Sequence, residues 1–284
     1  MGSQIIGFTD WFKTPPGEYL LAWERERFDQ AVANIFGYHA LQLGLPELDA
    51  LGSNRMPHKW LAVQGSDSAP PINAVQSAGP AASSPRIALL TDSSALPFPA
   101  NSLDLVLLPH ALELSIDPHA TLREVERVLV PEGRVVITGL NPASLWGLRQ
   151  RRAHFYRRLG YGELFLPEAG EFIGYWRLRD WLRLLSFEVE SGQFGCYRPA
   201  VSRPAALERF SWMDKVGGRW WPIFGALYFV VAVKRVRGMR LLEPNWKTQK
   251  APATAPAAIA NQVRRPGSFS FHPTTPETLD SPDS

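Results

Sequence analysis

Four stretches of this 284-residue chain hold side chains whose types and spacing could do chemistry. The first is Asp92-Ser93, directly after the apolar run Arg86–Thr91. A carboxylate just past the C-terminal end of a strand lies where open α/β sheets bind ligands. The same aspartate also suits a turn. The second is His110, past the run Leu103–Leu108, with Glu113 and His119 downstream. An imidazole there could act as a base toward a hydroxyl. A lone histidine is more often structural, and Glu113 reads equally well as a solvated loop residue. The third is Arg149, Arg151, Arg152, Arg157 and Arg158, interleaved with His154, Phe155 and Tyr156 and followed by Tyr161. Such a cluster could contact phosphates and stack on bases, or grip an anionic small molecule; a solvated helix face is the plainer account. The fourth, Trp212, Trp220, Trp221 and Phe224, reads as core packing before a last strand, or as the wall of an apolar pocket.

Composition removes several classes. A single cysteine, Cys196, excludes an intramolecular disulfide and a thiolate-rich metal site, which makes the cytoplasm the default compartment. No cluster of metal ligands is apparent. The formal charge of +3 is too small to predict nucleic-acid binding by itself. No Gly-x-Ser-x-Gly elbow, phosphate-binding Gly-x-x-x-x-Gly-Lys loop or His-Glu-x-x-His is present. The residues near Met1 lack the pattern of a secretory signal. The longest apolar run, Ile223–Val233, is far too short to span a bilayer.

The elements that must position these residues follow from periodicity. Thr14-Pro15-Pro16-Gly17 starts a helix, and Leu21, Phe28, Val32 and Ile35 mark its apolar face up to Gly37. Short apolar runs at Tyr38–Gly44, Trp60–Val63 and Arg86–Thr91 predict strands. Next come a strand at Leu103–Leu108 and a helix opened by Asp117-Pro118, carrying Leu122, Val125 and Val128. Pro131-Glu132-Gly133 ends that helix, and a strand at Arg134–Gly139 follows. Strand, helix, strand with short links is a βαβ unit, hence a parallel sheet. A helix around Leu178–Leu185 and strands at Phe187–Glu190 and Leu227–Val233 complete the set, with an antiparallel edge. Residues 65–85 are rich in Gly, Ser, Ala and Pro and read as a flexible insertion; residues 246–284 read as a disordered tail. The folded unit is then one domain, 1–245.

The run Asp92-Ser93-Ser94-Ala95-Leu96-Pro97-Phe98, then Ser102-Leu103-Asp104, then Arg127-Val128-Leu129-Val130-Pro131-Glu132-Gly133, resembles class I S-adenosylmethionine-dependent methyltransferases of the type 11 group. The resemblance is sharp over Asp92–Arg149 and looser from Gly17 to Val233. It implies an α/β fold: a Rossmann-like three-layer sandwich whose mostly parallel seven-stranded sheet has an antiparallel last strand. It implies S-adenosylmethionine as cofactor, and a methyl acceptor that is most simply a small molecule. Transferred by position, it makes Asp92 and Ser93 adenine contacts. Leu43, Gly44, Gln64 and Pro109 fall at the other cofactor-binding positions, and His110 falls where the methyl-transfer pocket opens, to orient the cofactor's methionine portion or act as a base toward an acceptor hydroxyl.

The departures from that pattern are as specific as the matches. The first turn reads Leu41-Gln42-Leu43-Gly44-Leu45-Pro46-Glu47, with one glycine where the family has three. Gln64 stands where the family has a ribose-binding carboxylate, and a neutral amide lacks charge-assisted strength. A catalytically silent ligand- or partner-binding domain therefore competes with the enzyme reading. An RNA-modifying methyltransferase contacting nucleic acid through Arg149–Arg158 is a further alternative.

Overall fold

The computed structural model describes residues 8–64, 87–158, 165–166 and 172–236. The segment 65–85 and the tail 246–284 set apart above lie outside the described residues. Seven strands form one sheet: β1 (His39–Leu43), β2 (His58–Gln64), β3 (Ile87–Thr91), β4 (Leu103–Pro109), β5 (Leu129–Leu140), β6 (Phe187–Gly195) and β7 (Leu227–Lys234). Their order is β3-β2-β1-β4-β5-β7-β6. β1 to β5 pair in parallel, and β7 runs antiparallel to both β5 and β6. This is the α/β Rossmann-like architecture expected. β7 is buried along its whole length because it is inserted between two neighbours and covered on both faces, which explains its unbroken apolar run.

Each face of the sheet has its own cover. On one face lies the helix Pro15–Val32, with Thr14 as N-cap and prolines in its first turn. Phe28 meets Phe229 of β7 edge to face, with ring centroids 5.2 Å apart. The buried row is Leu20, Glu24, Phe28 and Val32, one residue per turn, so it includes a glutamate and turns Leu21 partly outward. On the other face lie the helices Pro118–Val128 and Tyr175–Leu184, whose Leu122, Val125, Leu178 and Leu182 cover Val106, Leu108, Val135 and Ile137. Asp117 caps the former by accepting from the Ala120 amide at 3.0 Å.

Two expectations shift. Pro131-Glu132-Gly133 does not separate helix from strand; β5 begins directly after Val128 and takes the three residues in as a bulge. The register jumps from Leu103 opposite Leu129 to Leu105 opposite Arg134, and Glu132 adopts a left-handed φ of 64°. Trp212, Trp220, Trp221 and Phe224 are exposed instead of packing a core. They sit on the helix Trp212–Trp220 and the short 3₁₀ turn Pro222–Phe224 that lead into β7.

The helix Pro15–Val32 packs on one face of the sheet through the fully buried Phe28, so this aromatic is a stability determinant. Phe28→Ala should lower the free energy of unfolding by about 3–5 kcal/mol, measured as a shift in the urea midpoint at unchanged slope.

Candidate functional site

The strand order reverses between β1 and β4, and at such a point the C-terminal ends of parallel strands leave a crevice. β1 ends at Leu43, which is buried, and Gly44 follows with φ +86°, a conformation that suits glycine. Its amide donates to the Ala62 carbonyl of β2 at 2.9 Å. On the β4 side, a Cβ at Gly44 would touch the Pro109 carbonyl oxygen at 3.4 Å and Ala111 at 3.5 Å. The fold therefore brings Gly44 and Pro109 together. Gln64 closes β2, in register with Thr91, the last residue of β3.

The connection from β1 to β2, residues 44–57, is built of turns. A residue overlooked in the sequence organises it. Gln42 is buried inside β1; its Nε2 donates to the carbonyls of Leu45 (3.1 Å) and Leu48 (2.6 Å), and its Oε1 accepts from the Ala50 amide (3.0 Å). The sequence signal is a glutamine flanked by leucines in a short buried strand, where a buried amide needs partners.

Asp92 and Ser93 follow β3 but divide their roles. Asp92 is exposed, and its Oδ1 accepts from the Ser94 amide at 2.9 Å, which holds the carboxyl below its usual range. It both forms the turn and presents a charged carboxylate to solvent. Ser93 is buried in a hydroxyl cluster, 3.0 Å from Thr121 Oγ1 and 3.2 Å from Ser115 Oγ. Its hydroxyl is committed to the fold.

His110 follows β4 in a left-handed conformation, φ 52°, and is fully buried. Its Nδ1 lies 2.7 Å from Glu113 Oε2 and its Nε2 3.0 Å from Glu24 Oε1. The second Glu113 oxygen accepts from the Leu140 amide at the end of β5. Glu113 is thus a buried link between β4 and β5, in contrast to the solvated reading. Burial alone would lower the His110 pKa, but the carboxylates of Glu24 and Glu113 outweigh it and raise it to about 10. Both ring nitrogens face carboxylates inside a fully buried site, which favours the protonated imidazole and leaves neither nitrogen turned toward an acceptor. The general-base role therefore finds no support in this geometry. His119 has its ring against Trp181, with centroids 3.7 Å apart.

The arginine cluster lies on the helix Leu145–Arg158, which follows β5. Arg149 lies over the Phe165 ring at 4.5 Å and donates to the Ala200 carbonyl. Arg151 and Arg152 are exposed; the side chains of Arg157 and Arg158 lie outside the described residues. Among the described residues no group of acidic, histidine or cysteine side chains could hold a metal ion, and no helix is long and apolar enough to cross a membrane.

Comparison with known proteins gives three findings. Residues 54–137 match a family model described as a methyltransferase domain, of the type 11 group. The uncharacterized protein YafS of Escherichia coli K12 is 31% identical over 175 residues, which are 60% of this chain and 65% of YafS. This chain thus matches just under two thirds of that relative's length. Among solved structures, a Haloferax volcanii methyltransferase in complex with the activator Trm112 has a TM-score of 0.52 at 17% identity, covering 83% of this chain and 99% of that one. An S-adenosylmethionine-dependent methyltransferase from Archaeoglobus fulgidus has a TM-score of 0.50 at 18% identity, covering 75% and 94%. At these identities the likeness is one of fold.

The buried histidine generates a pH prediction. Its folded pKa of about 10 lies above the ordinary 6.5, so its stabilising contribution is complete below about pH 6.5 and is lost as pH rises through about 10. His110→Gln should destabilise the chain at pH 6 by about 3–5 kcal/mol, because two buried carboxylates lose their cation. The loss relative to the parent chain should shrink between pH 7 and 10, read from denaturant melts at each pH.

Proposed function

We propose that this chain is a class I methyltransferase of the type 11 group, whose family model its residues 54–137 match, and that it binds S-adenosylmethionine across the C-terminal ends of β1 to β4 and methylates a small-molecule acceptor. The observation that carries this reading is the reversal point itself: Gly44 against Pro109, with the exposed Asp92 carboxylate two strands away on the same edge.

The residues present fit such a cofactor best at its adenine end. Asp92 keeps a charged, solvent-facing carboxylate suited to an exocyclic amino group, and the backbone of Ser93 follows it. Gln64 stands at the end of β2 for the ribose hydroxyls, and Leu43, Gly44 and Pro109 line the reversal point toward the methionine portion. When bound, S-adenosylmethionine supplies an electrophilic sulfonium methyl group.

This chain's own contribution is position. Methyl transfer to a nucleophile needs in-line alignment in a water-poor pocket, and no side chain has to form a covalent bond. His110 serves as a fixed cation that braces the tip of β4 between Glu24 and Glu113. An acceptor with an available lone pair needs no base here, and one that must lose a proton would pass it elsewhere than to His110, which is buried between Glu24 and Glu113.

One observation favours a second reading, a ligand-binding domain without transferase activity. The first loop carries one glycine, and Gln42 bonds hold it folded back on its own strand. Titration calorimetry with S-adenosylhomocysteine separates the two. The methyltransferase reading expects saturable binding, weakened in Asp92→Ala by about 1–3 kcal/mol. An absence of heat at millimolar ligand would sink it in favour of the second.

A further inference from the structure

The helix Leu145–Arg158 contains five arginines and no acidic residue. Its inner side is anchored: Trp146 Nε1 donates to the Arg198 carbonyl at 2.7 Å, and Gln150 Nε2 to the Leu166 carbonyl at 3.2 Å. Its outer side mixes exposed arginines with exposed apolar residues. Leu145, Leu148, Arg152 and Phe155 recur at spacings of three and four, one stripe on a helix, and the apolar three are 47%, 55% and 63% exposed. Tyr156 lies beside them, 47% exposed. A merely solvated helix face does not display two leucines and two aromatics in a row.

A second apolar surface leaves the same edge of the sheet. Arg219, Trp220, Trp221, Pro222, Ile223 and Phe224 are six consecutive exposed residues. They are not a loose loop. Asp214 of the preceding helix accepts from the Tyr197 amide (3.1 Å) and from Arg198 Nε (2.8 Å). Asn141, between β5 and the arginine-rich helix, donates through Nδ2 to the carbonyls of Ile223 (2.7 Å) and Gly225 (2.9 Å). The two surfaces are therefore tied to one point, at the edge where β5 ends and β7 begins.

From this juxtaposition we propose that the edge formed by Leu145–Tyr156 and Arg219–Phe224 is an interfacial docking surface for an anionic phospholipid membrane. Exposed leucine and isoleucine gain by leaving water, and tryptophan rings with their polar N–H suit the headgroup depth. A helix whose own charged residues are arginines matches a negatively charged leaflet. A bilayer surface takes all three at once. A nucleic-acid strand would satisfy the arginines and the rings but leave Leu145, Leu148 and Ile223 in water. The contact is peripheral, since no described helix can span a membrane.

The test is co-sedimentation of the full chain with vesicles of phosphatidylcholine alone, or with about one third phosphatidylglycerol, together with tryptophan quenching by brominated acyl chains. Anionic vesicles should bind at least about tenfold more tightly than neutral ones, and high salt should weaken the binding. Bound tryptophans should be quenched. Replacing Arg151 and Arg152 together by Gln should cost on the order of tenfold in affinity. Trp220→Ser with Trp221→Ser should remove most of the quenching. All four side chains are exposed, so melting curves should stay unchanged, and the lipid and salt comparisons use the unaltered chain throughout. Failure to pellet with anionic vesicles would overturn the proposal. So would tighter binding to a short single-stranded RNA that the same arginine pair controls, which would assign the edge to nucleic acid.

Discussion

Three ionisable groups lie buried together under the tip of β4, and the elements that meet there are tied by that constraint. Two carboxylates cannot be taken out of water side by side without a cation between them. His110 supplies it, with Glu24 on one ring nitrogen and Glu113 on the other. Each partner belongs to a different part of the chain. Glu24 fixes the register of the long helix Pro15–Val32 on the sheet, and Glu113 also takes the Leu140 amide where β5 ends. Removing the cluster would free the first helix, the β4 tip and the β5 exit together.

Neighbouring positions follow from the same constraint. Tyr228 of β7 is buried close to Glu113, and burial together with that carboxylate pushes its hydroxyl well above the ordinary value. It stays a neutral phenol. Gly139 is a glycine because a side chain there would run into the Tyr228 ring and the Glu113 carboxylate. On the β1 side, Gln42 plays the matching part with neutral groups, three hydrogen bonds holding a turn-built loop in place. That loop buries Leu45, Leu48 and Leu51 against the core beneath the first helix. The edge is thus organised from below by two buried polar hubs. The exposed Asp92 is left to face solvent.

Much of the architecture was legible in the sequence. Strand runs such as Leu103–Leu108 and Leu227–Val233, and the capped helix at Asp117-Pro118, fell where the structure has them. Their periodicity and capping are local properties. Pro131-Glu132-Gly133 reads in sequence as the end of the helix, because a proline and a glycine look the same there whether they close a helix or bend the strand that follows; the left-handed Glu132 is visible only in the fold. Asp92 could be placed at a strand end from neighbouring residues alone. Its double role could not, because that depends on where the Ser94 amide points.

Sequence by itself determined the alternation of strands and helices, the antiparallel last strand and the family resemblance, all of which rest on short-range pattern. Only the tertiary structure decided what His110 is. Glu24 lies 86 residues away in sequence, and no local spacing foretells that its carboxylate will meet the imidazole in a buried space. Tertiary structure also turned the tryptophans from expected core into exposed surface. A residue's type fixes how much it gains by leaving water; whether anything is there to cover it depends on how distant elements stack.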